Sequence, residues 1–486
     1  MRDSAGNKRS IEEERGRTMG QDSKYKTLVK DTLIFALGSI GSKIIIFFLV
    51  PFYTAYLSPA EYGTADLIFT ISQLAIPCLS LVIFDGVIRY GLYRKERPQD
   101  VLLVGIVVWL TGSILGAVLT PFLAFYRSVA EWKWFVFGYV SVSILLSIEL
   151  NYLKAINKNL TYSLICILQT ALLAGLNILY VAVYRTGIKG YLIAYIGSTA
   201  LAAVVSFLVG GLYKDLKRSV YSKPLAKEMI AYSAPLVINN LSWWVIQSSD
   251  KLMLEAMIGA TALGIYTVAA RIPSLISVFV TIFQQAWGVS SIKEMDSSND
   301  SSFYSNVFSL FSTLMFGACI AICTITRPFM SIYIRNEAYK EAWMYVPLLL
   351  VSAVFSAIAA YCGSIYGALK KSVNNMLTTF IAAVINLIVN YAMILLTGIW
   401  GAIIGTVVSY CVLAFVRLWD ILRYVPIKIK WGKLIILSMI IVLQALTVSL
   451  FDLQIGLIVS IVVIIIFVWT EYKDILTLIT SFLRKR

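Results

Sequence analysis

Histidine is absent from the 486 residues. That removes Ser-His and Cys-His nucleophile pairs and every zinc site that needs imidazole. The six cysteines, Cys78, Cys166, Cys319, Cys323, Cys362 and Cys411, form no CxxC pair and all fall inside apolar runs, so they read as small buried hydrophobes. No metal or other cofactor is expected. No GxxxxGK[ST] loop is present, which excludes nucleotide hydrolysis through a P-loop. The first 30 residues lack the short apolar core and small-residue cleavage site of a secretory signal. Charge is scarce as well: 14% of residues are charged, against about 25% in soluble domains. What fills the chain is apolar, 59% of it, so lipid is the expected solvent. The formal charge of +15 resides in short loops and not in a basic groove interleaved with stacking aromatics, so nucleic acid is not an expected partner.

A helix needs about 20 apolar residues to cross the hydrocarbon core. By that rule the sequence holds fourteen spans, at 31–55, 64–90, 101–124, 134–153, 161–184, 190–213, 228–250, 262–290, 303–326, 342–368, 375–396, 399–421, 433–451 and 454–472. With the N-terminus inside, eight of the 41 lysines and arginines lie outside (Arg127, Lys133, Arg185, Lys189, Lys251, Arg327, Arg335 and Lys340). Lys43 and Arg271 lie within spans, and the remainder are cytoplasmic. This positive-inside bias holds loop by loop and places both termini in the cytoplasm.

The chain also repeats itself. YLSPAEYGTADL from Tyr56 aligns with MIGATALGIYTV from Met257 at an offset of 201, which puts Gly63 on Gly264. TGIKGYLI from Thr186 aligns with TGIWGAII from Thr397 at an offset of 211, and Asn177 meets Asn390 at an offset of 213. Six spans, an even number, separate equivalent helices, so the halves are parallel repeats about an axis along the membrane normal. The expected fold is all-α and membrane-integral: a cytoplasmic tail (1–30), an N-terminal six-helix bundle (31–213), a cytoplasmic linker (214–227), a C-terminal six-helix bundle (228–421), two extra helices (433–472) and a cytoplasmic tail (473–486). The two bundles are expected to face a central cavity.

Polar residues inside spans are costly and face a bundle interior or a water-filled cavity. Lys43 lies about 18 Å into the first span and Arg271 about 14 Å into the eighth, at 1.5 Å per residue. Thr267, Arg271, Ser274, Thr281 and Gln285 make one face of the eighth span, with Pro273 placed to kink it. Asp66, Thr70, Gln73 and Ser80 make the equivalent face of the second span, with Pro77 among them. The seventh span adds Ser233, Asn240, Trp244, Gln247 and Lys251, and Trp244 is the repeat equivalent of Lys43. Spans 1, 2, 7 and 8 are therefore the expected cavity walls. Lys43, Arg271, Gln73, Asn240, Trp244, Gln247 and Gln285 are the expected substrate contacts. Asp66, Asp85 and Asp250 are the candidate ion-coupling sites. The alternative for such residues is that they only hydrogen-bond between helices and hold the bundle together.

FYTAYLSPAEYGTADL from Phe52, GIYTVAARIPSLISVFVTIFQQAW from Gly264 and TGIWGAIIGT from Thr397 resemble the polysaccharide exporters, the O-antigen and capsule flippases. Their superfamily also holds multidrug exporters and lipid II flippases. The resemblance implies a non-enzymatic flippase of the bacterial plasma membrane whose cargo is an oligosaccharide linked through diphosphate to undecaprenol. It implies alternating access driven by an ion gradient or the membrane potential, with a polysaccharide polymerase and glycosyltransferases as pathway partners. The diphosphate suits Lys43 and Arg271, and the amides and Trp244 suit sugar. Three rival readings are a multidrug-type exporter of cations, a lipid II-type flippase on the same fold, and a membrane scaffold without transport.

Overall fold

The computed structural model describes residues 45–92, 97–297, 301–369, 371–425 and 427–483, with the side chains of 285, 286, 288–302, 372 and 473–483 outside that description. The helices in chain order are α1 Ile45–Tyr56, α2 Pro59–Ser80, α3 Ile83–Leu92, α4 Pro98–Leu119, α5 Arg127–Ala130, α6 Lys133–Ala155, α7 Asn159–Asn177, α8 Gly187–Val209, α9 Leu212–Lys217, α10 Lys223–Met257, α11 Ala260–Arg271, α12 Pro273–Ser297, α13 Ser301–Tyr333, α14 Ala342–Ala368, α15 Ser372–Thr397, α16 Ile399–Ile421, α17 Trp431–Leu450 and α18 Leu453–Leu483. Among the described residues there is no strand. Helices are what lipid demands, because each closes its own backbone hydrogen bonds.

Among the described residues, twelve helices are long and apolar enough to cross a membrane, and α11 with α12, taken as one span with a 47° bend, makes a thirteenth. The protein is thus a multi-pass membrane protein. α1 is the final part of the first expected span, most of which lies outside the described residues. Large apolar side chains point outward as lipid requires, among them Ile114, Leu208, Leu396, Ile436 and Trp469.

Helices α2, α4, α6, α7 and α8 pack on one another, and α14 is the hub of a second group with α11, α12, α13 and α16. Helices α17 and α18 pair with each other and lie against α13, and α17 also lies against α14.

The repeat is written into the element boundaries. α1 ends at Tyr56 and α10 at Met257, while α2 starts at Pro59 and α11 at Ala260, both at the offset of 201. Gly187 (φ 59°), the first residue of α8, and Gly398 (φ 64°), just before α16, occupy equivalent positions at the offset of 211, both at positive φ. A turn that tight between two spans needs a residue without Cβ.

Three expectations change. The second span is two helices, broken at Leu81 and Val82, whose φ values are 50° and 54°. The Ser80 hydroxyl accepts the Val82 N–H and satisfies part of the broken ladder. Gly112 of α4 fits against the break, since a Cβ there would lie 2.1 Å from the Leu79 carbonyl oxygen. The seventh span runs further at both ends, from Lys223 to Met257, so Lys251 is helical and not a loop residue. The segment 214–227, expected as a linker, holds the end of α9 and the first turn of α10. Ser222 caps that turn through the Leu225 N–H.

Candidate functional site

The first turn of α2 is fixed by a capping box, in which Ser58 and Glu61 satisfy each other's backbone N–H, with Pro59 in the first turn. This directs α2 across the start of α11. The two helices touch at Gly63 and Gly264. A Cβ on Gly63 would lie 1.9 Å from the Ala260 carbonyl oxygen, and a Cβ on Gly264 would lie 2.0 Å from that of Pro59. Residues 59 and 63 are the repeat equivalents of 260 and 264, so the contact is reciprocal and the pseudo-two-fold axis runs through it. Helix backbones come this close only when side chains are missing.

One turn further, the equivalent residues Asp66 and Thr267 meet across the same axis, with Thr267 Oγ1 donating to Asp66 Oδ2 at 3.0 Å. Here the symmetry stops. Lys251 Nζ lies 2.8 Å from Asp66 Oδ2, and an Arg271 nitrogen lies 3.5 Å from Asp66 Oδ1. Asp66 is enclosed (8% accessible), whereas Lys251 and Arg271 keep 22% and 30% of their side chains accessible. The cations therefore have surface to offer and the acid has almost none. The repeat equivalents of Lys251, Arg271 and Asp66 are Val50, Thr70 and Thr267, all uncharged. One carboxylate shared by two cations leaves a net charge of +1.

Around this cluster the halves are clasped at one end, the end that the lysine and arginine distribution assigns to the outside. Tyr126 and Ser128 donate to Glu255, Asn336 donates to the Thr54 carbonyl at 2.8 Å and Tyr339 to the Leu57 carbonyl at 3.0 Å. Tyr333 reaches the Phe47 carbonyl. On the other side of the axis, α10 stays against α3 down to the opposite end, where Arg89 sits 4.2 Å over the Tyr232 ring and Ser233 Oγ lies 2.8 Å from where a Cβ on Gly86 would be.

The expected residues are distributed as follows. Arg271 is at the centre of the cluster with Asp66, and Lys251 joins them. Trp244 donates its indole N–H to the Thr70 carbonyl at 2.9 Å, so it ties α10 to α2. Asn240 bonds back to the Leu236 carbonyl of its own helix, and Gln73 is exposed on α2. Gln247 and Asp250 line a cavity of 510 Å³ inside the second group of helices, together with Ser274, Thr281, Thr406 and Tyr410. Asp250 is buried and accepts from Tyr266, from Thr406 at 3.3 Å and from the Lys251 N–H at 2.9 Å. Asp85 stands apart in α3, with Lys154 as its charged neighbour. Lys43 and the Gln285 side chain lie outside the described residues.

Two cations sit where the pattern of apolar runs and loops does not anticipate them. The apolar run predicts an outer loop at Lys251, but the helix continues to Met257. Arg417, near the end of α16, is fully buried. Its guanidinium donates to Ala359, Asn375, Thr378 and Thr379. All of these acceptors are neutral. The available signal was the acceptor-rich NNMLTT stretch of α15, which faces it.

Comparison with known proteins fits this architecture. Residues 101–288 match the family described as polysaccharide biosynthesis protein. The match covers less than half of the chain. An uncharacterized membrane protein of Haemophilus influenzae is 22% identical over 264 residues, which cover 54% of this chain and 64% of the relative, so the match spans less than two thirds of that protein. In the inward closed conformation, the lipid II flippase MurJ superposes with a TM-score of 0.67 at 12% identity, over 91% of this chain and 100% of that one. An inward-facing multidrug resistance MATE family transporter of the MOP superfamily gives 0.65 at 14% identity, over 78% and 94%. At such identities the likeness is one of fold alone.

Proposed function

We propose that the protein is a flippase that moves an oligosaccharide, linked through diphosphate to undecaprenol, from the inner to the outer leaflet of the bacterial plasma membrane by alternating access. The observation that carries this reading is the Asp66–Lys251–Arg271 cluster at the crossing of α2 and α11. The cluster holds two accessible cations against one enclosed carboxylate, at the contact that closes one end of the molecule. A diphosphate carries more charge than a carboxylate and can take charge-assisted hydrogen bonds from both cations. Cargo would then replace Asp66 on Lys251 and Arg271. With its bridge broken, the α2–α11 crossing would be held by Gly63–Gly264 packing and the Thr267 bond alone, so cargo binding itself would favour opening outward. A ligand can shift a conformational equilibrium only through such a difference in affinity between states.

Asp66, Asp85 and Asp250 stay the candidates for ion coupling. Asp66 has a route to it: protonation would release the two cations just as cargo would. Gln247 in the polar cavity and the exposed Gln73 of α2 supply amides for sugar hydroxyls, and both termini are read as cytoplasmic. A polymerase and glycosyltransferases are the expected pathway partners. The cargo of a multidrug-type exporter would be a cation, which a net positive cluster repels.

The test is reconstitution in liposomes with a fluorescent undecaprenyl-diphosphate oligosaccharide. The purified protein should bring the label to the far leaflet, and the Lys251→Ala/Arg271→Ala double variant should not. Equal rates in both would refute the site, and no transport by the wild type under any imposed gradient would refute the function.

A further inference from the structure

A second cavity, of 340 Å³, lies away from the cluster, at the lysine-rich end of the bundle between α13, α17 and α18. One wall is hydroxyl and amide: Ser305, Asn306, Ser309 and Ser312 from the first turns of α13. The opposite wall is the extended segment that leads into α17, with Lys428 and Lys430, whose side chains are exposed. Its register is pinned by the Lys428 N–H, which donates to Ser305 Oγ at 2.9 Å. Lys433 and Glu471 line the cavity as well, 2.8 Å apart, and Glu471 is only 1% accessible and also accepts from Thr313. That pair neutralises itself. With Lys433 and Glu471 cancelling, Lys428 and Lys430 give the described lining a net charge of +2.

The apolar part of the lining comes from Phe308, Phe316, Leu434 and Leu437. Beyond it the surface of α17 continues with exposed Ile435, Ile436 and Met439. A cationic, hydroxyl-lined hollow at the end of a helix, with an apolar strip leading away along the helix axis, matches a phosphate head group carrying acyl chains. A basic hollow between spans on the cytoplasmic side is a recurrent head-group site.

We infer that this cavity binds the phosphate of an anionic membrane lipid, held by Lys428 and Lys430 and by the α13 hydroxyls. The site is separate from the proposed cargo cluster and does not depend on it.

The experiment is native mass spectrometry of the purified full-length protein with phosphatidylglycerol, with phosphatidylcholine and with inorganic phosphate. Phosphatidylglycerol should be retained and phosphatidylcholine should not. Lys428→Gln should weaken retention about five-fold and Lys428→Gln/Lys430→Gln about twenty-five-fold, the effect of one surface lysine and of two on an anionic head group. Inorganic phosphate should neither bind nor displace the lipid. Ser128→Ala, at the far end of the molecule, should retain the lipid as the wild type does and controls for folding. Equal retention of both lipids, unchanged retention by the double variant, or displacement by inorganic phosphate would overturn the assignment.

Discussion

At the residue scale, the proposed function makes Asp66 an internal stand-in for the cargo's anion. Asp66→Asn keeps the shape and the Thr267 hydrogen bond but removes the charge that holds Lys251 and Arg271. The closure at this end should weaken. The check is disulfide yield between cysteines introduced at Ser128 and Glu255 in a background without native cysteines, which should fall relative to the same pair with Asp66 intact. Gly63→Ala acts on the same contact sterically, because its Cβ would meet the Ala260 carbonyl at 1.9 Å. The helices would have to separate, so this variant should lower the same yield even though the ion pairs are chemically intact. Gly63 and Gly264 were legible in the sequence because the same residue recurs at a fixed offset. The ion pairs were not, since Asp66, Lys251 and Arg271 all face uncharged residues at their repeat equivalents. Lys43, ranked with Arg271 from its depth, lies outside the described residues, and the second cation that the structure does place is Lys251.

At the scale of elements, the informative feature is the 47° bend between α11 and α12. Pro273 cannot donate to the preceding turn, and Ser274 Oγ instead donates to the Arg271 carbonyl. The bend thus falls beside the residue that would hold the cargo. Pro273→Ala should allow a straighter helix, so we expect turnover in liposomes to fall while cargo affinity stays within a few-fold of wild type. This kink was readable from a proline in an apolar run. The break in the second span was not, because Leu81 and Val82 are ordinary helix residues and only the close approach of Gly112 and the Ser80 hydroxyl makes their left-handed backbone tenable. Helix ends were legible where a turn needs glycine, as at Gly187 and Gly398, and illegible where the helix outruns its apolar stretch, as at Lys251.

At the scale of the whole molecule, the two halves share boundaries and glycines but differ in buried charge. The repeat offsets of 213 and 211 bring Glu149 onto Cys362 and Ser206 onto Arg417. In α6 the Glu149 carboxyl is 1% accessible beside Ser206, and one of its oxygens has no hydrogen-bond partner. In the other half Arg417 ties α14, α15 and α16 together through neutral acceptors. A hydrogen bond between spans is worth about 0.6 kcal/mol on average, so losing this set should cost roughly 2–3 kcal/mol. Arg417→Met should lower the thermal transition of the purified protein without changing cargo affinity, which would mark Arg417 as a brace and not a contact. The fold class and the span order were readable because lipid leaves helices as the natural choice here. The division of labour between the halves was not, because duplication conserves packing while charge diverges.

The proposed exchange of cargo for Asp66 on Lys251 and Arg271 is tested by cargo binding to three proteins side by side: wild type, Asp66→Asn and Lys251→Ala/Arg271→Ala, each in detergent with a fluorescent undecaprenyl-diphosphate oligosaccharide. Removing the internal competitor should tighten binding by Asp66→Asn about tenfold to a hundredfold, the worth of one charge-assisted hydrogen bond, and the double variant should lose binding. An Asp66→Asn protein that binds the cargo no more tightly than wild type would contradict the exchange.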